Sequence, residues 1–200
     1  MFNNQIESFV AGDDKSDYLR VLHPEPNIIG ADIELLFPGS FNPVHEGHRK
    51  MAEIAAEKSG MSLWFELSII NVDKQPPSAS QLEKRLRGDF SPHGLVLTRA
   101  ARFTEKAALF PECTFVVGAD TLIRINDQRY YQTATDRSEA FDDFARHQCQ
   151  FLTFARKIDN IVIQGSNVEL DDRLQSLCEH IPADVFMMDV ASREIRSSND

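Results

Sequence analysis

From Glu34 onward the chain alternates short apolar runs with longer stretches of helical period, and no other feature restricts the fold so much. A run that is apolar throughout suits a strand buried on both faces of a parallel sheet. The helical stretch after it is the crossover such a sheet requires. Candidate strands cover residues 35–37, 63–72, 95–98, 114–117, 150–154 and 185–188. Between them, Met51, Ile54 and Ala55 form one stripe, and Phe141, Phe144 and Ala145 another, each at the spacing of a core-facing helix. The charge-rich stretch 136–146 is the solvated side of the second helix. Trp64, inside an apolar run, reads as core. The pattern predicts an α/β fold with a doubly wound, mainly parallel sheet and helices on both faces. Residues 1–33 contain HPEPNIIGAD, whose prolines and glycine interrupt regular structure, and read as an N-terminal extension. Residues 34–200 make up the domain.

The formal charge of −10 argues against a broad nucleic-acid footprint, which needs a basic face. It leaves room for a local pocket that takes a small anion. Cys113, Cys149 and Cys178 are odd in number and widely spaced, which fits a reducing cytoplasm better than a disulfide framework. No apolar run long enough to span a membrane and no secretory leader is evident, so a soluble cytoplasmic protein is expected. A homo-oligomer is left open.

In such sheets ligands sit outside the carboxyl ends of the strands, which directs attention to the turns that follow them. After ELLF comes GSFNPVHEGH, and then the amphipathic RKMAEIAAEK. Gly39 lets backbone approach a ligand, and Asn42-Pro43 sets a turn ahead of a helix whose free N–H groups favour an anion. Gly47 removes bulk between His45 and His48, which share a side if they lie on the opening turn of the helix. A zinc-protease helix would need H-E-x-x-H, and a dinucleotide fingerprint would need three glycines at G-x-G-x-x-G; neither spacing is present. A purely structural histidine pair is the remaining alternative.

The segment GSFNPVHEGH resembles the G-x-F-x-P-x-H-x-G-H signature of the nucleotidyltransferase (cytidylyltransferase-like) superfamily, which includes nicotinamide and nicotinate mononucleotide adenylyltransferases. The resemblance extends from Glu34 to Arg196 and implies a Rossmann-like α/β/α sandwich. It also implies that His45 and His48 contact a triphosphate and stabilise charge during transfer, with Gly39, Ser40, Phe41, Asn42 and Gly47 around the nucleotide. Gly118 and Asp120, after the strand TFVV, are similar to the family's G-x-D loop; taken alone, Asp120 reads rather as a helix N-cap. VASREIRSS resembles the second signature, I-S-S-T-x-I-R, through Ser192, Ile195 and Arg196, but departs from it at Ala191 and Arg193. Arg196 offers bidentate bonds to a phosphate and joins the two histidines as a catalytic candidate. Lys74 and Arg156, just past two strands, are candidates for the acceptor's phosphate.

The chemistry needs no general base, because a phosphomonoester's second pKa is about 6. Positioning and charge stabilisation remain, and Mg²⁺ carried by the triphosphate adds to them, with no metal site built by the chain. The function implied by the resemblance is transfer of AMP from ATP to nicotinamide or nicotinate mononucleotide, with release of pyrophosphate. Two alternatives stay open: transfer from CTP to a phosphorylated alcohol, and a nucleotide-binding module without turnover. Neither nucleic acid nor membrane is expected as a partner.

Overall fold

A computed structural model of the chain describes residues 4–24, 32–70, 77–158 and 161–188. After helix α1 (Asn4–Ala11) and strand β1 (Tyr18–Leu22), the order is β2 (Leu35–Pro38), α2 (Glu46–Ser59), β3 (Leu63–Ser68), α3 (Ala79–Leu86), β4 (Gly94–Thr98), α4 (Phe103–Leu109), β5 (Thr114–Gly118), α5 (Ala119–Asn126), α6 (Ala134–Arg146), β6 (Gln150–Ile158), β7 (Ile161–Ile163), α7 (Asp172–Ser176), β8 (Cys178–Ile181) and β9 (Met187–Met188). The strands line up as β1-β4-β3-β2-β5-β6-β7, with β8 and β9 also paired to β6. All pairings are parallel except β1 with β4 and β6 with β7. Counting the parallel strands from β2, the order is that of a Rossmann-like doubly wound sheet, and its direction reverses between β2 and β5.

The pleat explains why the strands are apolar throughout. Leu35, Phe37, Leu63, Phe65, Leu67, Leu95 and Leu97 face one cluster, together with Phe9, Met51, Ala52, Ala55 and Leu82 of α1 to α3. Leu36, Trp64, Val96, Phe115, Val117 and Phe151 face the other, with residues of α4 to α7 such as Ala107, Leu122, Phe141, Phe144 and Leu174. Trp64 is core, as expected, and Arg20 lies over its ring at 5.2 Å.

Several details differ from the sequence reading. β3 ends at Ser68 rather than at residue 72, and only residues 187–188 of the last candidate pair as a strand, Val185 being exposed. On α6, Ala145 is exposed and Ala140 is buried in its place, so the stripe runs through Ala140, Phe141 and Phe144. Within residues 1–33, β1 adds an antiparallel edge strand to β4, and Phe9 of α1 is fully buried in the first cluster.

Candidate functional site

The β2–β5 ladder pairs only Leu35 with Thr114 and Leu36 with Phe115, although both strands run further. β2 instead stays with β3, and the Gly39 N–H donates to the Glu66 carbonyl at 3.0 Å. The two strands therefore part at the point where the sheet reverses direction. A cleft of about 840 Å³ opens there, a size suited to a small-molecule ligand. Among the described residues, five cationic and five acidic side chains line it, so in a chain of net charge −10 these side chains balance locally, the relief an anionic ligand requires.

One side of the cleft is the GSFNPVHEGH turn. His45 is the N-cap of α2 and His48 its third residue, so both lie on the opening turn of the helix, where the His48 N–H donates to the His45 carbonyl at 2.9 Å. Their rings stack at 3.7 Å between centroids and 29° between planes, so they share a side. The His45 N–H donates to Nδ1 of His48 at 3.3 Å, which makes Nδ1 an acceptor and leaves Nε2–H as the donor the neutral ring can offer. Burial, the His45 ring beside it and the Arg156 charge push the His48 pKa down to about 3. Burial and the charges of Arg156 and Arg49 also lower that of His45. His48 lines the cleft, whereas His45 lies behind it at 6% exposure. Both ring nitrogens of His45 are buried without a hydrogen-bond partner among the described residues.

The turn is held from below by Phe41, which adopts a left-handed φ of 40° and is 1% exposed. Its ring meets His48 at 5.1 Å, Phe37 at 5.5 Å and Phe65 at 5.0 Å. A Cβ on Gly39 would fall 2.5 Å from that ring, so only glycine lets the strand pass over the phenylalanine. Ser40 and Asn42 also line the cleft, whereas Gly47 sits within α2 outside the lining.

Across the opening, Gly118 ends β5 and Asp120 stands in the first turn of α5. Asp120 does not cap that helix; Gly118 holds the N-cap position. The Asp120 carboxylate instead meets Arg124 at 3.0 Å and Nε of Arg156 at 3.3 Å. A Cβ on Gly118 would crowd Asp120 Oδ1 at 2.6 Å. Arg156, on β6, thus reaches Asp120 while its charge acts on both histidines. Of the residues expected at the site, Lys74, Ser192, Ile195 and Arg196 lie outside the described residues.

Sequence reasoning missed Glu66 of β3 and Lys106 of α4, which also line the cleft. Lys106 Nζ donates to Glu66 Oε1 at 2.8 Å, with the two side chains 5% and 1% exposed. The signal was present: LWFELS carries one acid inside an otherwise apolar run, and a fully buried acid needs a partner.

Comparison with known proteins bears out the resemblance. A family model described as cytidylyltransferase-like matches residues 36–88, from β2 past α3. A protein of Schizosaccharomyces pombe named "Putative nicotinamide mononucleotide adenylyltransferase" is 29% identical over 159 residues, which is 72% of this chain and 61% of that protein. The chain therefore spans less than two thirds of the length of that relative.

Proposed function

We propose that this chain is a cytoplasmic nucleotidyltransferase that moves AMP from ATP to nicotinamide or nicotinate mononucleotide and releases pyrophosphate. The carrying observation is the pair of neutral imidazoles stacked on the N-terminus of α2, at the point where β2 and β5 part. The name of the fission-yeast relative supports the choice of acceptor. The three cysteines are free thiols, which suits a reducing compartment, and no helix among the described residues is long and apolar enough to cross a membrane.

A phosphate oxygen of the acceptor attacks the α-phosphorus of ATP, the bond from that phosphorus to the bridging oxygen breaks, and pyrophosphate departs with the electron pair. His48 donates through Nε2–H to the triphosphate, and the free N–H groups of α2 add their partial charge. Arg156, between the histidines and Asp120, belongs where the α-phosphate and the acceptor's phosphate meet. Asp120 is placed to accept from ribose hydroxyls, and Arg196 of the second signature completes the phosphate contacts. Asp120 and Glu66 already face cationic partners, so Mg²⁺ would be held by the triphosphate oxygens and water, where it neutralises charge on the phosphates.

Purified chain with ATP, Mg²⁺ and either mononucleotide is expected to release pyrophosphate, and His48→Ala to lower kcat by about 10²-fold or more, the usual cost of one oxyanion donor. The family model's description favours one second reading, in which CTP replaces ATP. Calorimetric titration of ATP against CTP separates the two. Absence of pyrophosphate with both nucleotides and a panel of phosphorylated acceptors would overturn the assignment.

A further inference from the structure

Glu66 lies on the sheet face opposite the histidines. Along β3, Phe65 and Leu67 point into the cluster covered by α2, while Trp64 points into the other; by the alternation of the pleat, Glu66 takes the side of Trp64. There it meets Lys106 of α4 and Thr98 of β4. Its hydrogen bonding is one-sided. The Thr98 hydroxyl donates to Oε1 at 2.5 Å and Lys106 Nζ to the same oxygen at 2.8 Å, and Oε2 has no hydrogen bond among the described residues. Lys106 is committed as well, since Nζ also donates to the Ala100 carbonyl at 2.6 Å and its charge is matched by Glu66.

Glu66 lines the cleft at 1% exposure, with two donors on Oε1 and none from the described residues on Oε2, so Oε2 is the oxygen open to a donor from the cleft. The triphosphate contacts proposed above use the histidine side, which leaves this half of the cleft for the acceptor nucleotide. We propose that Glu66, held in place by Lys106 and Thr98, selects the acceptor by taking a hydrogen bond from a neutral amide N–H, so that the chain prefers nicotinamide mononucleotide to nicotinate mononucleotide. A ring carboxylate in that place would bring a second anion against Glu66 and offer it no proton. This deepens the adenylyltransferase reading and rests on it.

The test is pyrophosphate release by the full chain with ATP, Mg²⁺ and each mononucleotide in turn. The expected kcat/KM is at least tenfold higher for the nicotinamide acceptor, and Glu66→Gln, whose amide both donates and accepts, narrows that ratio to within about threefold. Should Glu66→Gln fail to fold, Glu66→Gln combined with Lys106→Met leaves no lone buried charge and carries the same expectation. Equal use of both acceptors by the parent chain, preference for the nicotinate form, or an unchanged ratio in the variants overturns the selection role and leaves adenylyl transfer standing. No pyrophosphate from either acceptor overturns the adenylyltransferase reading, and the selection role with it.

Discussion

His48 makes stability depend on pH with a sign and size that follow from its surroundings. In the unfolded chain the ring takes up a proton near its ordinary value of 6.5, whereas in the folded chain burial, His45 and Arg156 hold that step down to about 3. Between these values the unfolded state binds the extra proton. The contribution of a neutral His48 is therefore intact above about pH 6.5 and is lost progressively as pH falls toward 3. Each pH unit inside the window is worth about 1.4 kcal/mol, so this ring removes about 2.7 kcal/mol of stability by pH 4.5. His48→Gln isolates the effect, since glutamine does not titrate and its side-chain oxygen can take over acceptance of the His45 N–H, as in a capping box. Urea denaturation of both proteins at pH 7.5 and pH 4.5 gives four free energies, in which the titration of shared carboxylates cancels. The gap between variant and parent is expected to move by about 2.7 kcal/mol in the variant's favour on acidification. A gap constant to within about 0.5 kcal/mol, the usual error of additivity, would show that the ring is not held neutral by the fold and would refute the reasoning.

Gly39→Ala sets a methyl group 2.5 Å from the ring of Phe41, which Phe37 and Phe65 hold on its other sides. Overpacking of this kind costs about 1–3 kcal/mol and lowers Tm by about 2–4 °C for each kcal/mol in a chain of this size; an unchanged Tm in a thermal melt would show that the strand has no need to pass over the ring. Glu66→Gln leaves the Lys106 ammonium buried without a counter-charge and is expected to cost about 3–5 kcal/mol in urea denaturation, whereas adding Lys106→Met should recover most of that loss. Equal destabilisation of the single and double variants would show that the two charges are not coupled.

Legibility in the sequence followed the range of the interactions. The βα alternation and the turn after β2 were readable because each depends on neighbours within a few residues of one another, such as the apolar period of α2 or Asn42-Pro43 ahead of it. Ala145 was misplaced because i, i+3, i+4 spacing does not say which edge of the stripe faces the sheet; Ala140 does, at 5% exposure. β1 was missed because YLRVL is short, contains Arg20 and becomes a strand only by pairing with β4, about 75 residues later. For Glu66 the acid inside an apolar run signalled a buried partner, but the identity of that partner was out of reach for the same reason. Its partners come 32 and 40 residues further on, from β4 and α4, and no local pattern links them.

The split between β2 and β5 explains why the two halves of the cleft need such different chemistry. The histidine side closes over apolar rings and offers neutral imidazoles with a helix terminus, so it gains most from a ligand that brings its own negative charge. The Glu66 side already holds a matched cation and anion, so a second full charge there has nothing left to neutralise it, and a neutral donor fits best. Among the described residues, Arg156 combines a charge that reaches both histidines with a contact on Asp120, and it lies on β6, past the gap that both halves share. An anionic donor on one side and an acceptor with an uncharged head on the other would leave their phosphates meeting at that arginine, which is the arrangement that in-line transfer between two nucleotides requires.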